Sequence, residues 1–394
     1  MNSTKTMKKN LIFSILGTVL WAFPVFAFAR NGEEPKPVDA ANLSIRNEVR
    51  RSIGSGVKWL VTKQEEDGRW GDADYPALTA LAVRAIISEP ATEPRYKGQM
   101  DKGFAFILSK VQSDGGIYGR GLASYNTSIC MMALLQAKEA KYVPVIRKAR
   151  NFLVNQQSDF DKRGENDNVF DGGVGYGARW AHSDLSNTHL AMEALFYAKK
   201  ILVPKEGEDF ELDWDSAINF VGKCQNLPKK NKQDWVSDNP DDRGGFVYFP
   251  GSSMAGEREL ADGRKVLRSY GSMSYAGLLS FIYAEMKPDD ERVMAAREWI
   301  NAHYSVDENP GMGEQGLFYY YHTMSKALSL SQVKLIEKKD GTKADWRRDL
   351  SKKLFDLQKA DGSWMNENGR WWEKDPVLAT AYALLTLERI YYAL

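Results

Sequence analysis

A chain of 394 residues, 43% hydrophobic and 27% charged, has the make-up of a soluble globular protein with room for one or two cores. Its 53 basic and 52 acidic residues leave a formal net charge of +1, which supplies no basic field to hold nucleic acid. The two cysteines, Cys130 inside an apolar run and Cys224 beside Gln225, sit in unlike surroundings and read as buried thiols rather than a bridge.

The chain opens like a secretory leader over residues 1–29. Lys5, Lys8 and Lys9 form the basic start, Leu11 to Phe28 is apolar, and Ala27-Phe28-Ala29 is a small-residue cleavage signal before Arg30. The apolar run could also span a bilayer as a retained anchor; Pro24 near its end and the small-residue site favour cleavage. A periplasmic or secreted location is therefore expected. Residues 30–43, polar and holding Pro35 and Pro37, form a linker or arm, and residues 44–394 form one domain.

That domain repeats one pattern six times. Trp59-Leu60 is followed by Gln64, a Gly68 turn and Trp70. Ile107-Leu108, Gln112, Gly115-Gly116 and Tyr118 form the second unit, and Phe152-Leu153, Gln157, Gly172-Gly173 and Tyr176 the third. Phe220-Val221, Gln225 and Gly244-Gly245-Phe246 come fourth. Trp299-Ile300 comes fifth, with Tyr304 replacing the glutamine, and Leu354, Gln358, Gly362 and Trp364 close the series. Each unit ends in an apolar run opened by a small polar residue: Thr79, Thr127, Thr188, Ser274, Thr323 or Thr380. Seven residues after each stands an apolar residue, two helical turns on and on the same face. Every repeat thus reads as a helix, a glycine turn and a second, more apolar helix. The second helices are apolar nearly all round and suit an inner layer, whereas the first carry charge on one side and suit an outer one.

The third unit carries a polar insertion, Ser158 to Asp171, with Asp159, Asp161, Asp167 and Asp171. Counted from Asp159, the fifth and twelfth places of a calcium loop hold Arg163 and Phe170, so a solvated loop is expected and no metal. The fourth unit carries the longest insertion, Pro228 to Ser269, a length at which loops are often lids and often just loops; it holds no motif, so a plain loop is expected.

The Trp59-Leu60, Gln64, Gly68, Trp70 pattern, and its second half at Gln358, Gly362 and Trp364, resembles the QW repeat of the terpenoid cyclase and protein prenyltransferase superfamily, closest to the squalene–hopene cyclase branch. The resemblance runs from about Ser44 to the end. It implies an all-α fold, the α/α toroid or double α-barrel of six helix hairpins, with inner helices around a central cavity. Gln64 and Trp70 are expected to be structural, an amide capping backbone groups under an indole cover.

The same resemblance points to chemistry at Asp184-Leu185-Ser186-Asn187-Thr188, which opens the third inner helix. The family's motif there is Asp-x-Asp-Asp-Thr, and its middle Asp protonates an alkene. Asp184 and Thr188 match, but Ser186 stands at the protonating position and Asn187 replaces the next acid, so the acid motif is not intact. Asp184 is a candidate acid or, alternatively, a helix N-cap. Tyr321-His322-Thr323 resembles a prenyltransferase segment whose histidine binds zinc, yet no cysteine follows Cys224 to complete that set. His322 is left as a candidate donor or base. Gly311 to Gln315 echoes a thioester motif with Met312 in place of its cysteine, and reads as coincidence.

Candidate cavity residues at the inner-helix starts are Tyr125, Asn126, Tyr270, Tyr275, Tyr321 and Trp372, with Arg268 and Glu314 nearby. Three functions fit. The first is an exported, cyclase-like toroid that binds, and if catalytic rearranges, an isoprenoid or other apolar lipid, with contact to a membrane surface allowed. The second is a secreted polysaccharide-active enzyme on the same barrel. The third is a non-catalytic interaction ring. The cavity lining discriminates: an open polar groove suits sugar and a closed aromatic one suits lipid. No cofactor is expected.

Overall fold

The computed structural model describes residues 40–90, 95–177, 182–205, 207 and 210–394. The leader expected over residues 1–29 lies outside the described residues, and the first helix starts at Ala40. Among the described residues no helix is long and apolar enough to cross a membrane.

Two layers of helices alternate along the chain. The outer helices are α1 (Ala40–Val61), α3 (Lys97–Ser109), α5 (Val143–Val154), α7 (Trp214–Lys223), α9 (Glu291–Ala302) and α11 (Trp346–Leu357). The inner ones are α2 (Pro76–Ser88), α4 (Ala123–Ala137), α6 (Leu185–Ile201), α8 (Gly271–Tyr283), α10 (Leu317–Leu330) and α12 (Pro376–Ala393). Each inner helix packs on the next, and α12 packs on α2, so the ring closes. This is the α/α toroid. The layers follow from amphipathicity: Pro76 to Ile86 of α2 are all buried, whereas α11 buries one stripe containing Trp346, Leu350 and Leu354.

The repeated residues explain how the ring holds. Gln64 Nε2 donates to Gly68 O in its own turn (2.9 Å) and to Gln99 O on the next outer helix (2.8 Å). Gln157 does the same to Gly172 O and Asp213 O, and Gln225 to Gly244 O and Arg292 O. Gln358 joins Gly362 O to Ser52 O of α1, and so fastens the last repeat to the first. Tyr304, the exception in sequence, still reaches the next outer helix through Asp349 (3.1 Å). Gln112 departs: it bonds only Lys110 O and Tyr118 O.

A second staple uses the small polar residues of the inner helices. The hydroxyls of Thr79, Thr127, Thr188, Ser274 and Thr380 accept the backbone N–H of Trp70, Ile117, Val174, Phe246 and Trp364 at 2.9–3.1 Å. Trp70 and Trp364, both fully buried, donate Nε1–H to Leu60 O and Leu354 O (2.8 Å each). The turn glycines are required twice over. Gly172 has φ +83°, and a Cβ there would lie 2.0 Å from Ser216 O on the next outer helix.

Two short antiparallel hairpins interrupt the helical pattern. β1 (Glu257–Glu259) pairs with β2 (Lys265–Leu267) inside the long fourth insertion, and β3 (Ile336–Glu337) with β4 (Lys343–Ala344) between α10 and α11. The third insertion is ordered around Asp171, which is buried and accepts from Phe160 N and Asn168 N. Cys130 and Cys224 are both buried and free.

Candidate functional site: the tyrosine-lined mouth of the barrel

All six inner helices start at one end of the ring, each after its glycine turn. Side chains from helices that are not ring neighbours meet across the centre, and those contacts identify what fills it. Tyr125 of α4 and Tyr382 of α12 place their hydroxyls 3.0 Å apart. His189 of α6 lies 6.3 Å from the Tyr319 ring of α10. One turn deeper, Lys326 Nζ of α10 bonds Glu193 Oε2 of α6 at 2.7 Å, with both side chains no more than 2% exposed. Residues 189 and 193, and residues 322 and 326, are four apart, so each pair shares the inward face of its helix.

Asp184 sits at the rim of this space as the N-cap of α6. Its Oδ1 accepts from Asn187 N and its Oδ2 from Asn187 Nδ2, both at 2.8 Å. It is fully buried. Burial pushes its carboxyl up from 3.8 to about 7, against the pull of the Asn187 bonds and the Tyr248 hydroxyl. Tyr248 in turn donates to Tyr176 at 3.0 Å, and both rings are half-buried. Burial, then Asp184, raises Tyr176 to about 12 and pushes Tyr248 further up. Both phenols are therefore proton donors at neutral pH. Tyr270 and Tyr319 are raised in the same way, with Asp184 among the causes, which gathers four tyrosines around one acid.

The two histidines are neutral. Burial, then Lys326, lowers His189 to about 4 and holds His322 well below its ordinary value. His189 Nδ1 donates to Ser186 O at 2.8 Å, which leaves Nε2 as a lone acceptor. His189 Nε2 and His322 Nδ1 are buried and have no hydrogen-bond partner. His322 also packs 5.3 Å from the Tyr382 ring.

Asp184, Tyr125 and Tyr270 thus stand at the inner-helix starts, His322 lies deeper beside Tyr382 and Lys326, and Trp372 stands on the rim. Trp371 and Trp372 are 46% and 50% exposed, with Trp372 packed 4.6 Å from Tyr75. Both tryptophans lie in the left-handed region, at φ 54° and 65°. Other candidates point elsewhere. Asn126 uses its whole amide on Ala77 N, Gly121 O and Leu122 O, tying α2 to α4. Tyr321 donates to Val306 O behind α10, and Tyr275 packs on Tyr320. Arg268 and Glu314 are exposed on loops. Glu373, raised by burial, caps α10 through Phe318 N and Tyr319 N and accepts from Asn366.

Sequence reasoning missed Tyr176, Tyr248 and His189 as site residues, and the Glu193–Lys326 pair with Arg84 behind it. The pair did leave a signal: a lone charge inside each of two otherwise apolar inner helices. Burial would raise Glu193, but Lys326 and Arg84 overcome it and hold the carboxyl well below the usual range. Among the described residues no three His, Cys, Asp or Glu side chains gather as a metal set.

No protein-family model and no curated protein matches the chain. Among solved structures it is similar to the type II terpene cyclase MstE from Scytonema in complex with geranylgeranyl dihydroxybenzoate: 11% identity, TM-score 0.56, covering 89% of this chain and 99% of that one. It is similar to the α-1,6-mannanase from Salegentibacter: 10% identity, TM-score 0.57, covering 88% and 100%. A protein from Actinoplanes matches at 14% identity and TM-score 0.50. Such identities speak to fold alone. The chain has the α/α-toroid fold shared by a terpene cyclase and a mannanase; the terpenoid-cyclase resemblance holds at the level of fold, and these structures do not single out the squalene–hopene branch.

Proposed function

We propose that the protein binds a saccharide at the inner-helix mouth of the toroid, with Asp184 as a general acid towards an oxygen of that ligand. The observation that carries this reading is the complete burial of Asp184 with no cation bonded to it, which disfavours its charged form and makes it a weak acid. Alkene protonation needs a strong acid, yet Asp184 stands at about 7, weaker than an ordinary carboxyl by on the order of 4 kcal/mol. That shift is in the wrong direction for a cyclase. It suits proton donation to an ether or hydroxyl oxygen near neutral pH, as in glycosidase acids.

Two further features support it. His189 Nε2 and His322 Nδ1, buried without partners, are costly beside an apolar chain but are satisfied by ligand hydroxyls. Trp371 and Trp372 hold flat faces at the mouth despite a backbone geometry that costs about 1–3 kcal/mol per residue. Asp184 is enclosed, so its proton moves by relay. It passes to the Tyr248 oxygen as Tyr248 passes its own proton to Tyr176 and Tyr176 passes its own to the ligand oxygen, so that each phenol stays neutral. Hydrolysis by a carboxylate pair is outside the proposal, because Glu373 is engaged in capping α10. The leader pattern over residues 1–29 supports an activity outside the cytoplasm.

A second reading, an isoprenoid ligand, draws on the aromatic walls and on the likeness to MstE, whose complex holds a geranylgeranyl compound. Calorimetry against a panel of neutral oligosaccharides, run beside solvent extraction and mass spectrometry of the purified protein, separates the two. Saturable saccharide binding that is lost in His189→Phe supports the proposal. A co-purifying isoprenoid with no saccharide binding overturns it.

A further inference from the structure

At the opposite end of the inner barrel, α8 and α10 finish in the same cap. Met286 N donates to Phe281 O and Glu285 N to Ile282 O, while Val333 N donates to Leu328 O and Gln332 N to Ser329 O. Glu285 and Gln332 both take φ 55° where glycine is the usual residue. Beside these two ends lies a cavity of about 500 Å³, a size that holds small organic ligands. Phe281, Ile282 and Leu330 make its apolar wall, and its lining holds Lys200, Lys287 and Arg297 with one acid, Glu285. Arg297 Nε and Ser331 Oγ are buried on this wall with no hydrogen-bond partner.

We propose that this cavity is a second ligand site, independent of the mouth, and that it takes an amphipathic monocarboxylate. The apolar chain lies against Phe281, Ile282 and Leu330, and the carboxylate meets Arg297 and Ser331. A half-buried guanidinium whose Nε has no partner, beside an unpartnered hydroxyl, is the donor pair such a headgroup fits.

The test is calorimetry on the full chain with sodium decanoate, decanol and sodium acetate, each below the concentration at which it self-associates. Decanoate is expected to bind with one site per chain, more tightly than decanol, and acetate not measurably. Arg297→Met should weaken decanoate by about tenfold or more, the scale of one charge-assisted hydrogen bond, and leave decanol unchanged. Leu330→Trp, which fills the wall and keeps Arg297, should abolish binding of both, and covers the case in which Arg297→Met fails to fold. Equal affinity for decanoate and decanol, or decanoate binding that survives Leu330→Trp, would overturn the proposal.

Discussion

The Glu193–Lys326 bond is the most consequential contact in the barrel, because it joins across the centre two helices that are not ring neighbours. Removing one member of a buried pair leaves a charge without its partner, at a cost of about 3–5 kcal/mol. The structure makes the two single losses unequal. Lys326→Met leaves Glu193 with Arg84 still bearing on its charge, so the lower end of that range is expected. Glu193→Gln leaves Lys326 and Arg84 as like charges in a space where each is at most 6% exposed, so the upper end is expected. The double variant Glu193→Gln/Lys326→Met leaves neither member of the pair charged and should lose less than the sum of the two single losses, since no unpaired charge of the pair remains. Urea unfolding of the four proteins gives the coupling energy from their midpoints and slopes. Additive losses below about 1 kcal/mol, the size of an exposed pair, would mean that the side chains are solvated and that the centre of the ring is not closed.

Other consequences follow from single residues. Asp184 has a folded pKa raised from 3.8 to about 7, so its stabilising share is present below 3.8 and is lost as pH rises through 7. Asp184→Asn, which can still cap α6, should flatten the fall in unfolding free energy across that window. Gln358→Ala should destabilise by about 1–3 kcal/mol by releasing Ser52 O and Gly362 O at the seam, and more than Gln112→Ala, whose bonds stay within its own repeat. Trp372→Gly relieves a left-handed residue and should raise the thermal midpoint while weakening saccharide binding. A lower midpoint would place the indole in packing rather than in recognition.

Much of the ring was legible because its staples are local. Gln64, Gly68 and Trp70 lie within seven residues, and the same chemistry recurs at Gln358, Gly362 and Trp364, though not at Gln112. Even the substitution at Tyr304 kept its reach to the neighbouring outer helix. The job of the inner-helix threonines was not legible: they mark helix starts in sequence, but their hydroxyls hold the preceding turn. Facing was harder still. On helices buried all round, apolar periodicity does not say which side is inward, so Tyr321 and Asn126 turn to structural bonds while His189 and Tyr319 face the centre. Partners such as Glu193 and Lys326 are 133 residues apart, and only closure of the ring brings them together. Asp184 was found from its motif, but the weakness of its acid comes from burial, which composition does not reveal.

A carboxyl-carbon NMR titration, with Asp184 assigned by difference against Asp184→Asn, measures that acid directly. A midpoint near 7 is predicted. A midpoint at or below the ordinary aspartate value would give the mouth a permanently charged group and would remove the ground for proton donation to a saccharide oxygen.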